Sequence, residues 1–280
     1  MRTTVIATMA AAAMLAGCAA PAVRRVCPGQ QDLGQALAKL RQRSGTIEPL
    51  KAYGRCLLRY KDKNGKLKKE NFPLKLWLNP PAEIYLQGDV GFNPKGIVLG
   101  SNQHEFWLAI KPKQVSSYWW GKWSQQEHIA GVPLSPVLLL DAFGATKLDG
   151  YPNLTLSNER AYDVLTVADS NDHVFKKIYI YCCDYLVRKI EYFGRDGRLK
   201  LVVTLDNYRQ VHPKSYAPTL IEINSHDGNT LSRWATIRLS SLKPTRLTPR
   251  QRKVMFSRPD PHRYRHEYLV TGGNIVELKR

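Results

Sequence analysis

The stretch from residue 72 to residue 123 constrains the fold more than any other part of the chain. Short apolar runs follow one another here, separated by turn-forming groups such as Asn-Pro-Pro at residues 79–81 and Lys-Pro-Lys at residues 111–113. Within the runs, apolar residues recur at every second position, as in Leu74, Leu76 and Leu78. Because successive side chains of a strand point to opposite faces, this period of two predicts an antiparallel meander with one buried face.

The same stretch is rich in large aromatic side chains that we expect on the outer faces of these strands. A sheet with so much aromatic surface must either cover it with another part of the chain or use it for binding. The residues concerned are Trp77, Tyr85, Trp107, Tyr118, Trp119, Trp120 and Trp123.

The period-two pattern returns after residue 161 and continues to Leu239. With the first half, it predicts a mainly β protein of about 11 to 12 antiparallel strands. Gly88, Gly91, Gly96 and Gly100 mark bulges or sharp bends, so we expect the sheet to be strongly curved. The predicted later strands are Tyr162–Ala168, Val174–Tyr181, Tyr185–Phe193, Leu199–Tyr208, Thr219–Asn224 and Leu231–Leu239.

Two helices interrupt this pattern. Residues 31–43 form an amphipathic segment, with Leu33, Leu37 and Leu40 on one stripe, which either packs against the sheet or lies on a membrane. The second helix is short and almost wholly apolar: it begins after Ser135, with a proline at its first position, and ends at Gly144. It is either a buried plug or a lid over a ligand pocket.

The first eighteen residues resemble an export signal. A charged start is followed by an apolar stretch from Val5 to Leu15, too short to span a membrane, and then by Leu-Ala-Gly-Cys ending at Cys18. This ending looks like the bacterial lipobox, in which Cys18 is lipidated and becomes the first residue of the mature chain; the alternative is a plain signal peptide with an incidental cysteine. Acyl chains at Cys18 would anchor the protein, and we expect the outer membrane, facing the periplasm.

The chain is strongly basic, with 42 Lys and Arg against 23 Asp and Glu and a net charge of +19. Such a balance favours anionic partners, and export leaves anionic lipid or an envelope polymer rather than nucleic acid. The charge is concentrated in a proline-broken tail from residue 243, which is either a solvated surface or a docking strip for anionic lipid. Its candidate membrane-facing residues are Arg246, Arg250, Arg252 and Lys253.

No catalytic or metal-binding motif is evident, so we expect neither an enzyme nor a cofactor. Four cysteines remain besides Cys18. In an oxidising envelope, Cys27 could pair with Cys56, although connectivity does not follow from sequence. Adjacent Cys182 and Cys183 point to opposite faces of a strand and would not easily bond to each other.

The order of these elements resembles the bacterial outer-membrane lipoprotein carrier and receptor family, the LolA/LolB-like proteins. The stretch that carries the resemblance runs from Gly88 to Leu108, with Gly-Asp-Val-Gly-Phe, Gly-Ile-Val-Leu-Gly-Ser-Asn and Glu-Phe-Trp-Leu in succession. The resemblance implies an unclosed half-barrel with helices over an apolar cavity that binds acyl chains of lipoproteins or lipids. It divides the chain into a signal peptide (1–17), a tether (18–30), the half-barrel domain (31–242) and a basic C-terminal extension (243–280).

The acyl cavity that this resemblance implies would be lined by the concave face of the sheet and by the second helix. A structural or scaffolding lipoprotein, gripping an anionic polymer or a protein partner through its basic surface, is the alternative. The residues expected to line the cavity are Leu74, Leu76, Ile84, Leu86, Phe106, Leu108, Ile110, Val137, Leu139, Leu140 and Phe143.

Overall fold

The computed structural model describes residues 27–44, 48–61, 65–113, 115–123, 135–145, 148, 151–227, 230–271 and 274–278. Cys18 and the signal and lipidation predictions therefore lie outside the described residues. The first half of the chain contains helix α1 (Leu33–Ser44), strands β1 (Leu50–Lys61), β2 (Leu67–Asn79), β3 (Glu83–Val90), β4 (Asn93–Ser101), β5 (Glu105–Ile110) and β6 (Ser117–Lys122), and helix α2 (Pro136–Ala142).

The second half is almost entirely β until the tail. Its elements are β7 (Asn153–Glu159), β8 (Tyr162–Ala168), β9 (Val174–Tyr181), β10 (Leu186–Phe193), β11 (Leu199–Asp206), β12 (Arg209–His212), β13 (Ser215–Ala217), β14 (Leu220–Asp227), β15 (Thr230–Pro244), helix α3 (Pro249–Met255), a 3₁₀ turn (Pro261–Arg263), β16 (His266–Thr271) and β17 (Asn274–Glu277).

Fifteen strands form one large curved sheet, in the order β17-β16-β6-β5-β4-β3-β2-β1-β15-β14-β11-β10-β9-β8-β7, and β12 pairs with β13. All pairs are antiparallel except β16 with β6. Within the described residues, the edge strands β17 and β7 do not pair with each other, so the sheet is not closed into a barrel. The predicted fold class is confirmed, although the described residues contain more strands than the expected 11 to 12.

The two faces of the sheet differ as the period of two requires. Along β2, Phe72, Leu74, Leu76 and Leu78 are buried, whereas the residues between them are exposed or half-buried. We call the side of these four residues the inner face and the opposite side the outer face. The inner face carries the main core, to which α1 and α2 also contribute.

Both predicted helices are present and pack on the sheet. Helix α1 buries Ala36 and Leu40 and contacts β7, β10 and β13. Helix α2 follows Ser135 with Pro136 in its first turn, and Gly144 has a φ of +66° just beyond its end, a conformation that glycine adopts without strain. No helix in the described part of the chain has the length and apolar character that a transmembrane span requires.

The C-terminal segment covers part of the outer face. Tyr264 is buried in a second apolar cluster with Val98, Trp107, Ala109 and Tyr118. The Tyr118 hydroxyl donates to the Pro259 carbonyl at 3.1 Å. The expected aromatic surface is thus largely an internal contact, made with the chain's own tail.

Two of the aromatic residues do not lie on the outer face as expected. Trp119 and Trp123 pack against the core of the inner face, and the Trp123 ring lies 5.0 Å from that of Phe106. The reason is the alternation itself, because Trp119 lies opposite Leu108, an inner-face residue.

The tail beyond residue 243 is more regular than its prolines suggest. It forms α3, the 3₁₀ turn and two strands that extend the same sheet past β6. Proline breaks the connections but falls outside β16 and β17, so it leaves both strands intact. The domain boundary at residue 242 stays a prediction.

The disulfide pairing differs from the one suggested by the sequence. Cys27 bonds to Cys183, and both Cys56 and Cys182 are free and buried. Cys56 lies on the inner face of β1, whereas Cys183 lies in the β9–β10 turn. Gln30, three residues after Cys27, donates its backbone N–H to the buried Asp163 carboxylate on β8 at 3.0 Å, so both contacts hold the start of the described chain at the same end of the sheet.

Candidate binding site under helix α2

Most residues expected to line a cavity lie together on the inner face. Leu74 is 2% exposed, Leu86 1% and Leu108 6%. Leu139 of α2 and Phe143, which directly follows α2, belong to the same cluster. The cluster therefore brings the sheet residues and the helix residues into one apolar surface. Its other expected members are Leu76, Ile84 and Leu140.

Three expected residues lie at the margin of this surface. Ile110 is half-buried and packs against the cluster. Phe106 is buried but contacts Trp123 near the end of the strand. Val137 is half-buried and is the least buried residue of α2. These positions form the border of the site rather than its centre.

Helix α2 bridges two distant parts of the sheet. It contacts β3 and β4 on one side and β11 on the other. Leu138, Leu139 and Leu140 are each at most 5% exposed. In this conformation α2 therefore covers the inner face, and a ligand that used the same apolar surface would have to displace the helix.

A buried ion pair fixes α2 to the sheet. The Asp141 carboxylate of α2 accepts from the Lys176 ammonium of β9 at 3.0 Å and from the Tyr192 hydroxyl of β10 at 2.6 Å. The side chains of Lys176 and Asp141 are 2% and 4% exposed. The Lys176 Nζ also lies 5.2 Å from the centroid of the Tyr151 ring. We call these four residues the α2 latch.

The charges of the latch support one another. Burial disfavours the ammonium form of Lys176, but the Asp141 carboxylate and Tyr151 more than offset this, so the pKa of Lys176 is raised. Burial, followed by the field of Asp141, raises the pKa of the Tyr192 hydroxyl well above its usual value. Tyr192 therefore remains a hydrogen-bond donor to the carboxylate at neutral pH.

The latch was not predicted from the sequence. Its one visible signal is Asp141, the single charged residue in an otherwise apolar helix. A charged residue surrounded by apolar ones is almost never buried without a partner. Its partners on β9 and β10 are visible only in the folded structure, because the period-two pattern does not predict which strand residues contact a helix.

One of the four candidate basic residues of the tail is paired with a carboxylate. Arg252 forms a bidentate ion pair with the Glu83 carboxylate, donating from Nε at 2.8 Å and from Nη2 at 2.9 Å. Arg246, Arg250 and Lys253 are exposed. Their role at an anionic surface stays a prediction. Among the described residues, no group of His, Cys, Asp and Glu is arranged to hold a metal ion.

Comparison with known proteins gives a fold and not a close relative. The sequence matches no protein-family model and no curated protein. Among solved structures, a Vibrio parahaemolyticus domain named for outer membrane lipoprotein sorting aligns with a TM-score of 0.54 and 14% identity, covering 80% of this chain and 97% of that domain. A LolA superfamily protein from Nitrosomonas europaea aligns with a TM-score of 0.51 and 10% identity, covering 80% and 97%.

A third structure extends this likeness. A DUF1329 family protein from Desulfovibrio piger aligns with a TM-score of 0.50 and 11% identity, covering 75% of this chain and 90% of that protein. This chain therefore has a LolA-like fold, and the family resemblance found in the sequence is confirmed at the level of fold.

Proposed function

We propose that this protein is a lipid-anchored envelope protein that binds acyl chains of lipids or lipoproteins on the inner face, beneath α2. The observation that carries the proposal is an apolar helix that covers the inner face of an open LolA-like sheet and is held there by one polar latch. A solved structure with the same fold is named for lipoprotein sorting. In this proposal the protein needs no cofactor, performs no catalysis and is attached through Cys18 to the outer membrane.

The free energy gained by burying an acyl chain is similar to the free energy of apolar burial lost when α2 leaves the inner face. Burying a sixteen-carbon acyl chain is worth about 12 kcal/mol, at about 0.8 kcal/mol for each CH₂ group. Helix α2 buries Leu138, Leu139 and Leu140, and Phe143 is buried just beyond its end. Each is worth about 1.5–3 kcal/mol, or about 6–12 kcal/mol together. Burial of an acyl chain taken from water can therefore offset the apolar burial that α2 gives up, while the latch contacts must also break.

Native mass spectrometry of the chain from residue 18 onward, carrying Cys18→Ser and purified without detergent, tests the proposal. We expect bound mass in the range of fatty acids or phospholipids that is lost on organic extraction. Added fluorescent fatty acid should bind to the extracted protein. A protein that carries no such mass and does not bind the fatty acid would refute acyl binding.

Paired variants locate the site. Leu108→Asp places a carboxylate on the inner face and should abolish fatty acid binding. Leu57→Asp is the matched control, because Leu57 lies on the outer face of β1. Leu139→Ala should instead tighten binding, since it weakens the cover by about 2–5 kcal/mol and leaves the sheet intact. Equal affinities in all three variants would place the ligand elsewhere.

A further inference from the structure

Three adjacent strands at the centre of the sheet carry only positive charge on their outer face. The register of β1 with β15 and β2 places these residues side by side, with Arg55 opposite Arg238 and Arg59 opposite Lys69. No acidic residue shares this face of the three strands within the described residues. We call this surface the cationic face, and it consists of Lys51, Arg55, Arg59, Lys69, Lys75, Arg238 and Lys243.

The C-terminal segment leaves the cationic face open. That segment lies over β3 to β6, where its arginines pair with the carboxylates of the outer face: Arg252 with Glu83 at 2.8 Å and Arg258 with Glu105 at 3.1 Å. On the strand beyond β15, the nearest carboxylate of the same face is Glu222, opposite Thr236. Two arginines of the C-terminal segment thus pair with outer-face carboxylates of β3 and β5, whereas the cations of the three central strands have no acidic neighbours on the same face within the described part of those strands.

Aromatic rings are interleaved with these cations. The Lys51 Nζ lies 5.0 Å from the centroid of the Tyr53 ring and 5.5 Å from that of Trp77, and the Arg59 guanidinium lies 5.2 Å from the ring of Trp234. Tyr53 is 37% exposed. Tyr and Trp rings beside Lys and Arg are typical of protein surfaces that meet the headgroup region of a bilayer.

A cleft opens at the edge of the cationic face. It has a volume of about 430 Å³, and Arg238 and Arg209 both line it together with Tyr208 and Thr219. Arg209 is held in place by donating to the Ser240 carbonyl at 3.1 Å, at the bulge where β15 gains one residue over β1. Two guanidinium groups in one cleft fit a phosphate group.

We propose that the cationic face docks on a bilayer that contains anionic phospholipid, with a lipid phosphate in the Arg209–Arg238 cleft. The face follows twelve residues of β1, about 40 Å, and is three strands wide. Such a broad surface contacts many headgroups at once, whereas a single polymer chain fits a groove. The proposal does not depend on what lies beneath α2.

Vesicle sedimentation tests the docking surface directly. The chain from residue 18 onward, carrying Cys18→Ser, is mixed with vesicles of phosphatidylcholine alone or of phosphatidylcholine with phosphatidylglycerol. Each Lys or Arg near an anionic surface contributes about 1 kcal/mol, so Arg55→Gln with Lys75→Gln should weaken binding to the anionic vesicles about 30-fold. Arg238→Gln should weaken binding to the anionic vesicles by at least fivefold. Higher salt should weaken the binding of the protein without these substitutions.

The matched control is Lys111→Gln with Lys113→Gln, which removes the same charge from exposed positions between β5 and β6, outside both the cationic face and the tail. This pair should change binding less than threefold. Arg55 and Lys75 are exposed, so both double variants should keep the unfolding temperature of the parent. If the Arg55 variant does not fold, Lys69→Gln with Lys75→Gln serves in its place.

Three results would overturn the proposal. One is an equal loss of binding in the two double variants, because the docking would then follow net charge rather than the cationic face. Another is equal binding to vesicles with and without phosphatidylglycerol. The third is tighter binding to soluble polyglutamate than to anionic vesicles, which would assign the face to a polyanion.

Discussion

The α2 latch gives the sharpest quantitative prediction. Replacing Lys176 by Met removes the ammonium but keeps most of the side-chain volume, and it leaves the Asp141 carboxylate buried with one remaining partner, Tyr192. At 3.0 Å, the attraction between the two charges is about 5 kcal/mol for an effective dielectric constant of about 20. Because an uncompensated buried charge costs about 3–5 kcal/mol, we expect the free energy of unfolding to fall by that amount.

The control for this change lies on the neighbouring strand. Lys189 forms an ion pair with Glu191 at 2.7 Å on the outer face of β10, and its side chain is 38% exposed. A partly exposed ion pair contributes about 1 kcal/mol, and the Lys189 contact with the Tyr179 ring contributes about as much. Lys189→Met should therefore cost clearly less than Lys176→Met. Urea unfolding at pH 7, followed by circular dichroism, measures both variants.

Removing both charges of the latch separates its two contributions. Asp141→Leu combined with Lys176→Met leaves no buried charge, but the Tyr192 hydroxyl loses its acceptor, at a cost of about 1–3 kcal/mol. We therefore expect the double variant to be more stable than Lys176→Met alone. Two results would refute the latch. One is a loss of unfolding free energy in Lys176→Met no larger than that in Lys189→Met. The other is a loss in the double variant equal to the summed losses of Lys176→Met and Asp141→Leu.

The latch also predicts a kinetic effect on the proposed ligand. If α2 must leave the inner face before an acyl chain can enter, a weaker latch raises the population of the open state. Stopped-flow binding of a fluorescent fatty acid should then be faster for Lys176→Met by at least tenfold. Unchanged association rates, together with lower stability, would show that α2 does not control access.

Three further predictions follow from other parts of the fold. Peptide mapping without reduction should recover Cys27 linked to Cys183, and Cys183→Ser should lower the free energy of unfolding by about 2–5 kcal/mol, because the bond closes a loop of 156 residues; a peptide linking Cys27 to Cys56 would contradict this. Burial raises the pKa of the Cys56 thiol to about 12 and that of Cys182 to about 11. Both thiols should therefore stay protonated and resist iodoacetamide at pH 8 until urea is added, whereas rapid labelling of the folded protein would show that they are accessible. Tyr264→Ala should lower stability by about 3–5 kcal/mol and increase binding of a dye that reports exposed apolar surface, since it uncovers Trp107 and Tyr118; no change in dye binding would mean that the tail does not cover this face.

The period of two was sufficient to predict the sheet and most of its inner face. It works because burial on one side of a strand imposes alternation whatever the neighbouring strands are, so β8 and β9 begin and end at the residues expected from sequence. The short α2 was equally visible, since Ser135, Pro136 and Gly144 mark its two ends through local backbone chemistry.

The same pattern does not predict contacts between residues that are far apart in the sequence. The Cys27–Cys183 bond joins residues 156 positions apart, and no spacing rule distinguishes Cys183 from Cys56 as the partner. The tail was expected to be partly irregular because of its prolines, yet it adds two strands, and its Tyr264 covers the aromatic outer face. Both cases depend on the order of strands in the sheet, which sequence alternation does not encode.

The Cys27–Cys183 disulfide also limits how far residue 18 can lie from the folded sheet. Cys18 lies nine residues before Cys27, and nine extended residues reach at most about 32 Å. Any surface that holds residue 18 must therefore lie within that radius of the β9–β10 turn. If the disulfide were reduced, the first residue held to the sheet would be Gln30, through Asp163. The maximum distance of residue 18 from the sheet would then increase by about 10 Å. If Cys18 carries the proposed lipid anchor, the bond determines which end of the sheet stays close to the membrane and how far the opposite end can move away from it.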